Sequence, residues 1–507
     1  MPNKPAMQVH PRRGLGFLTL GASLHDILTR LKAQPRTYPT IDISYSSSEP
    51  LMIPVFLNLP SNGFRLRFDG PDQRLRLIEV LDFTKTQLRY NDKDLFKFPE
   101  ASPTPAVDTG PAFRQIYNRM GLTNLEEYIP PILGSGSDQG ILVWSYPGVA
   151  FTFPVQHANW SPKVDFVTLL SYTAPASALS MAIFDGRSWE EARSDLMIRA
   201  CPYPRSLALS SRGRESRPDE VDLVRVGANG KILLDRRASS PFQMVLGKTT
   251  PQDLVAELGP PDAIYRKYDR RLSIHKTPPR DRKTGRAYSR SPPTNSDGLV
   301  DTDESSTHTS ADDSDVEDHE MVKENTSSDL SAECFYNYFD HGFDVFISYP
   351  ANRSPTLSPV ESEEYGYESN TKKLVATKML LHGNVPGSYP FNRYRRSRWV
   401  IDFQIAELDV NLDSETPYTA LSESLAELWP GDLNKRAMVL NRDFWGDSPG
   451  SSCELLGSWE DSTNAQKKGM ESNAKGGPGA GNTKLYGFPG LLFEVLKNDA
   501  VSCLTVY

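Results

Sequence analysis

The alternation of hydrophobic and polar residues predicts strands at four places that share one arrangement, a turn glycine followed by alternating apolar side chains. Alternation with a period of two residues is typical of a half-buried strand, and a glycine before it is typical of a tight turn. The residues before each glycine are also strand-like, so each place is predicted to be a hairpin. The four motifs occupy residues 62–68, 147–153, 341–346 and 489–495.

A short amphipathic helix is predicted before each hairpin. In the clearest case Thr250 can cap the helix N-terminus, Pro251 suits the first turn, and Gly259 stops the helix. A helix followed by an antiparallel meander, repeated about four times, predicts an α+β fold. The other three helices are predicted at about 21–31, 113–120 and 418–428.

These repeats predict two halves, residues 1–235 with units one and two and residues 236–507 with units three and four. Two insertions interrupt the scheme. Residues 266–331 turn first basic and then acidic with few apolar side chains, and residues 461–482 are polar and rich in glycine. Because such segments bury too little apolar surface to offset their ordering entropy, we expect them to be disordered.

Composition narrows the class of protein. The net charge of the 507 residues is −8, which argues against bulk attraction to nucleic acid. The four cysteines are far apart and form no CxxC pair, which favours neither a disulfide framework nor a zinc site and fits a reducing cytosol. Residues 167–184 carry little charge but contain several Ser and Thr and Pro175, so we expect buried strands there rather than a membrane span.

Patterns that imitate catalytic motifs are incomplete. Gly247-Lys248-Thr249 resembles the end of a phosphate-binding loop, but the position of that loop's first glycine holds Phe242. His341 and His382 are interpreted as hydrogen-bonded structural histidines, because no candidate nucleophile recurs near either. We therefore predict no enzyme activity, no cofactor and no metal, with a cryptic hydrolase as a minor alternative.

One segment has the composition of a binding site, with four arginines interleaved with two aromatic residues. Guanidinium groups grip phosphate bidentately, and arginine and aromatic side chains are typical of interface hot spots. The target could be a phosphoinositide headgroup, an acidic peptide or RNA. In the alternative interpretation the segment is a strand whose alternating, exposed arginines pair with acidic neighbours such as Glu407 and Asp409. The predicted binding strip consists of Arg393, Tyr394, Arg395, Arg396, Arg398 and Trp399, with Tyr389 and Phe391 as a candidate partner surface.

Several longer motifs resemble the phagosome assembly factor 1 family of eukaryotes. The strongest are Cys-Phe-Tyr-Asn-Tyr-Phe at 334–339 and Leu-His-Gly-Asn-Val-Pro-Gly-Ser-Tyr-Pro-Phe-Asn at 381–392. The resemblance covers nearly the whole chain outside the two insertions and is weakest at 185–240. Shorter matches lie at 17–21, 72–75 and 258–261.

This resemblance implies a non-enzymatic role. Members of the family are implicated in autophagy, where they are recruited to the forming phagophore together with a phosphoinositide-binding β-propeller protein. We therefore expect a cytoplasmic adaptor or scaffold that is peripheral at phagophore assembly sites or other endomembranes, contacts membrane indirectly and binds no nucleic acid.

The alternative is a lipid or polypeptide carrier that uses its sheet surface as a cradle. Residues 247–265 resemble the helix–hairpin units of small bacterial envelope assembly proteins. That likeness concerns the fold, and a fold does not determine a function. A large apolar cavity would favour the carrier.

Overall fold

The computed structural model is rich in antiparallel sheet and has short helices, so the predicted α+β class is confirmed. Most of both predicted insertions, residues 267–331 and 461–481, lies outside the described residues. The structure describes residues 6–95, 110–123, 125–131, 138–161, 167, 170, 177–201, 219–266, 333–350, 373–388, 390–403, 412–429, 437–441 and 482–507.

Four of the five described helices lie where the sequence predicts them. Ser23 caps the first helix by accepting a hydrogen bond from the Asp26 amide at 3.1 Å, and Thr250 with Asp253 forms a capping box on the fourth. None of the described helices is long and apolar enough to cross a membrane. The helices are α1 Leu24–Lys32, α2 Phe113–Met120, α3 Trp189–Arg193, α4 Pro251–Leu258 and α5 Tyr418–Leu428.

Residues 6–184 build two sheets, which together we call the first sheet system. One sheet has five strands in the order β3-β2-β1-β8-β9, and the other has eight in the order β10-β11-β12-β13-β7-β6-β5-β4. The strands are β1 Ala6–His10, β2 Gly14–Leu15, β3 Leu18–Thr19, β4 Asp42–Ser44, β5 Val55–Leu59, β6 Phe64–Phe68, β7 Leu75–Val80, β8 Gln87–Tyr90, β9 Lys93–Asp94, β10 Leu125–Ile129, β11 Gln139–Tyr146, β12 Val149–Gln156 and β13 Ser180–Phe184.

Residues 221–506 build the second sheet system. Its sheets have four strands in the order β16-β15-β14-β21 and eight strands in the order β17-β18-β19-β20-β25-β24-β23-β22. The strands are β14 Val221–Gly227, β15 Lys231–Arg236, β16 Phe242–Val245, β17 Ala263–Arg266, β18 Cys334–Tyr338, β19 Phe343–Ser348, β20 Val375–His382, β21 Trp399–Asp402, β22 Met438–Asn441, β23 Asn482–Phe488, β24 Leu491–Val495 and β25 Val501–Val506.

The two sheet systems have the same topology apart from β9, which has no counterpart among the described strands of the second system. Each eight-stranded sheet consists of two four-stranded meanders joined through their last strands, β7 with β13 and β20 with β25. A helix precedes each meander in chain order. In each smaller sheet a three-stranded meander pairs in parallel with a later strand, β1 with β8 and β14 with β21.

The predicted repeat count and the two predicted halves stay predictions. The strand pairing bears on where a boundary would lie, because β14 pairs with β15 and β21, and both of those strands belong to the second sheet system. A boundary before residue 221 therefore fits the hydrogen bonding better than one near residue 235.

The predicted hairpin turns place glycines where other residues would be strained. Gly342 has φ +85°, and a Cβ atom built there would lie 2.4 Å from the backbone oxygen of Arg395. Only glycine tolerates both the left-handed backbone and that approach. The β18–β19 turn therefore packs directly against the chain segment that leads into β21.

Two main cores hold the sheet systems together internally. One is built from residues 7–183 and includes Trp144 and Phe153, and the other is built from residues 221–506 and includes Trp399 and Phe493. Phe391 belongs by sequence to the second system but packs against the first core. The segment between β20 and β21 thus brings the two systems into contact.

Candidate functional site

The predicted binding strip lies between β20 and β21 and extends into β21. Contrary to the expectation of an accessible strip, Tyr394, Arg395, Arg396 and Trp399 are only 1–6% exposed. Trp399 packs into the second core, with its ring centroid 6.1 Å from that of Phe493.

The rest of the strip is less buried. Arg393, Arg398 and Phe391 are partly exposed, and Tyr389 lies outside the described residues. Burial removes Arg395 and Arg396 from any surface that a phosphate group or partner can reach, so these two arginines lie inside the protein rather than on a binding surface.

Arg395 belongs to a buried group of charges that joins the two sheet systems. Arg74, immediately before β7, places its NH1 atom 2.7 Å from Glu220 Oε2, and Arg395 NH2 lies 3.7 Å from the same oxygen. Arg395 also donates to the carbonyl of Val221 at 3.2 Å. Arg237 extends the group through an ion pair of 2.9 Å with Asp222.

Arg396 and Arg398 form a second group of charges beside the first. Arg396 donates to the carbonyls of Pro71 at 2.6 Å and Gly383 at 2.7 Å, and its NH2 atom lies 2.9 Å from Glu415. Arg398 bridges Glu415 at 3.0 Å and Asp72 at 2.6 Å. The arginines pair with acids, but not as exposed residues of a strand, because Arg395 and Arg396 are buried and β21 begins at Trp399. Glu407 and Asp409 lie outside the described residues.

The pKa values show how strongly these charges are coupled. Burial acts to raise the pKa of Glu220, but Arg395 and Arg74 outweigh it and lower that pKa to about 2. Burial lowers the pKa of Arg395 to about 10, which leaves the guanidinium charged at neutral pH. The group is therefore ionised, and each of its guanidinium groups has a carboxylate partner. Charges that are removed from water require such partners.

Amide side chains reinforce the same contact. Gln73 donates to the backbone carbonyl of Asn384 at 2.9 Å, and the Asn384 side-chain amide donates back to Gln73 Oε1 at 2.8 Å. Both side chains are buried. Residues 72–75 and 381–392, two of the motifs that resemble the family, thus meet face to face although they lie more than 300 positions apart.

A polar network lies beneath this contact. Asp344 accepts hydrogen bonds from Asn337 at 2.8 Å and from the Tyr394 hydroxyl at 2.9 Å, and it lies 3.0 Å from His382 Nε2. The His382 ring stacks on Tyr394 with centroids 3.8 Å apart. Tyr394 thereby covers both the imidazole and the carboxylate, so these residues act as packing and hydrogen-bonding groups.

His341, the other singled-out histidine, is 3% exposed and stacks on Phe343. Burial, together with Arg395, lowers its pKa to about 4, so the ring is neutral at physiological pH. Within the described ranges, no group of three or more His, Cys, Asp or Glu side chains is placed to hold a metal ion.

An accessible groove lies elsewhere in the second sheet system. It encloses about 750 Å³ and runs between the β14–β15 turn, the end of α5 and the β23–β24 turn. A smaller cavity of about 370 Å³ shares Ala228, Asn229 and Phe403 with it, so the two are adjacent. Trp429 packs edge-on against Phe403 with centroids 5.5 Å apart.

Sequence reasoning missed both the carboxylate partners and this groove. Arg74, just before β7, and Arg76, within it, alternate with Leu75 and Leu77 in a segment buried on both faces, so each arginine needed an internal partner. The sequence therefore contained a signal that these arginines have carboxylate partners inside the protein. No comparable sequence signal pointed to the groove, because its lining residues come from eight separate parts of residues 228–507.

Comparison with known proteins finds a family model and several relatives that are similar to this chain. A family model described as phagosome assembly factor 1 matches residues 14–289 and 366–507. A PHAF1 protein of Arabidopsis thaliana is 22% identical over 98% of this chain and 92% of its own length. A PHAF1 protein of Drosophila melanogaster is 22% identical, with coverages of 99% and 94%. One from Caenorhabditis elegans is 21% identical, with 78% and 76%. No solved structure shows a significant match.

Proposed function

The chain belongs to the phagosome assembly factor 1 family, and on that premise we propose that it is a non-enzymatic adaptor or scaffold in phagosome assembly during autophagy. The observation that carries this proposal is the match of the family model, which spans most of the chain on both sides of its gap at 290–365. The family is named for assembly rather than for a chemical reaction.

The geometry of the predicted strip supports indirect rather than direct membrane contact. Arg395 and Arg396, the side chains best suited to phosphate, are occupied by Glu220, Glu415 and backbone carbonyls. A partner that recognises phosphoinositides itself, such as a β-propeller protein, would supply the membrane contact. The adaptor then works in the cytoplasm and becomes peripheral at phagophore assembly sites or other endomembranes only in the complex.

Affinity purification of the tagged full-length chain from its own cells tests this proposal. We expect mass spectrometry to recover a β-propeller protein with autophagy factors, and more of them under autophagy-inducing than under resting conditions. Recovery of the chain alone with bound lipid would contradict the adaptor and favour the carrier.

Flotation of the purified chain with phosphoinositide vesicles tests the indirect route. The chain alone should remain unbound, and addition of the recovered partner should bring it to the vesicles. Flotation of the chain alone would show direct lipid contact and overturn that part of the proposal.

A further inference from the structure

The groove of the second sheet system occupies a position that the first system fills with its own chain. In the first system the β1–β2 turn reaches the β11–β12 turn, where the Arg12 amide donates to the Gly148 carbonyl at 3.5 Å. A Cβ atom on Gly148 would lie 2.2 Å from the backbone of Arg12. Arg12 also pairs with Asp185, just after β13, at 3.3 Å. The position is closed by polypeptide backbone and by one ion pair.

The two turns that correspond to these in the second system do not touch each other. The equivalent of the β1–β2 turn is the β14–β15 turn at Ala228–Gly230, and the equivalent of Gly148 is Gly490. The Gly490 carbonyl accepts from the Tyr507 amide at 3.0 Å, as the Gly148 carbonyl accepts from Phe184 at 3.2 Å. The approach of the first turn is missing in the described residues, and the groove of about 750 Å³ lies in its place.

The lining of the groove combines aromatic rings with positive charge. Tyr349 and Tyr507 are 47% and 43% exposed, and Phe403 and Trp429 provide apolar surface beside them. Exposed aromatic groups in a concave site are typical anchors for a bound polypeptide.

The charged lining residues are mostly cations. Lys378 lines the groove, and Lys231, Arg225 and a single carboxylate, Asp402, line the adjacent smaller cavity. Arg225 pairs with Asp235 at 2.7 Å. Lys231 and Lys378 are exposed, and neither forms an ion pair with a carboxylate that the structure describes. The ammonium group of Lys378 lies 6.0 Å from the centroid of the Phe346 ring. A ligand with acidic groups would complement these lysines.

We propose that this groove binds an extended peptide segment of a partner protein, with aromatic or aliphatic anchors flanked by acidic residues. Its backbone takes the place that the β1–β2 turn takes in the first system, and its carboxylates pair with Lys378 and Lys231. This assignment rests on the proposed adaptor function and names the chemistry of the segment that the adaptor recognises.

The test is fluorescence anisotropy of the full-length chain with a labelled synthetic peptide of glutamate, tyrosine and leucine. We expect saturable binding that weakens about tenfold in the double variant Lys231→Glu/Lys378→Glu, since attraction becomes repulsion. Ala228→Trp, an exposed turn residue that lines both cavities, should weaken it similarly by filling the groove. Lys93→Glu, an exposed lysine of the first system, is the matched control and should bind normally.

Other outcomes would overturn the assignment. The groove variants could bind the peptide as tightly as the parent chain does. The parent chain could bind a peptide with lysine in place of glutamate equally well. The variants could also lose binding to anionic vesicles rather than to the peptide. A gain in peptide affinity on deletion of the glutamate-containing residues 354–370 would make a segment of this chain the occupant.

Recovery of partners from cells separates the groove proposal from the adaptor proposal. Failure of the parent chain to recover any partner refutes the adaptor. Equal recovery of partners by the parent chain and the groove variants refutes the groove alone.

Discussion

The first and second sheet systems share their strand order apart from β9, and they differ at the position where a turn of the smaller sheet faces a hairpin of the larger one. In the first, the Arg12 turn touches Gly148 and closes the surface. In the second, the corresponding turn at Ala228–Gly230 and Gly490 line a groove. A shared topology thus sets where a gap can form, and the residues of the first turn decide whether the gap is filled.

The contact between the two sheet systems and the groove differ in how far their cations are exposed. The cations of the contact, including Arg395 and Arg396, are buried against carboxylates and carbonyls, whereas Lys378 and Lys231 at the groove are exposed. Arginine is suited to the buried role because its planar fork can satisfy several acceptors at once. The more arginine-rich segment therefore makes mainly internal contacts, whereas the two lysines face solvent.

Loss of the contact between the systems should have the largest effect. Arg396→Leu leaves two carbonyls without a donor and removes one partner of the buried Glu415, so we expect a loss of roughly 3–5 kcal/mol in the free energy of unfolding. Denaturant titration measures this loss. Arg225→Leu, which breaks an exposed pair, is the control and should cost less than about 1 kcal/mol. Similar costs for the two variants would show that the contact is not a main source of stability.

Alanine substitutions at Gly148 and Gly490 compare the position that is closed in the first system with the equivalent position at the groove of the second. Both Gly148 and Gly490 have positive φ, +82° and +79°, so alanine should cost roughly 1–2 kcal/mol at either. At Gly148 the new methyl group also meets Arg12, which should add about 1–3 kcal/mol, whereas the nearest atom at Gly490 is 3.4 Å away. Equal unfolding free energies of the two variants would contradict the difference between the systems.

Glu220 should give the contact a pH dependence. Its pKa in the folded protein, about 2, is below the ordinary value of 4.5, so its contribution is fully present above pH 4.5 and is lost as the pH falls towards 2. Glu220→Gln should cost roughly 1–3 kcal/mol at pH 7. The cost should shrink over that acid range. A stability difference between parent and variant that does not change with pH would contradict the assignment.

The smallest effect is expected at the groove itself. Lys378→Glu should leave the free energy of unfolding within about 0.5 kcal/mol of the parent, because the side chain is exposed. Lys93→Glu should behave alike. A clear destabilisation by Lys378→Glu alone would mean that this lysine supports the fold, and the charge test of the groove would then need Lys231.

Local patterns carried much of the fold. The Thr250 cap, the Gly342 turn and the alternation of β5, β6 and β24 depend on neighbours within a few positions, and the structure has those elements as predicted. Hydrogen bonding and side-chain direction within a turn or strand follow from such short spacings. The resemblance to the family rested on similarly local motifs, and family membership is confirmed.

The candidate site could not be predicted in the same way. The composition of residues 393–399 indicated a binding strip, but burial depends on Asp72, Glu220 and Glu415, which no local pattern connects to it. Likewise the groove depends on the distance between two turns far apart in the chain. By itself the sequence determined helices, hairpins and family, because these follow from local spacing and motif. Only the tertiary structure decided which cations are buried and which are exposed, because that is set by what the fold brings into contact.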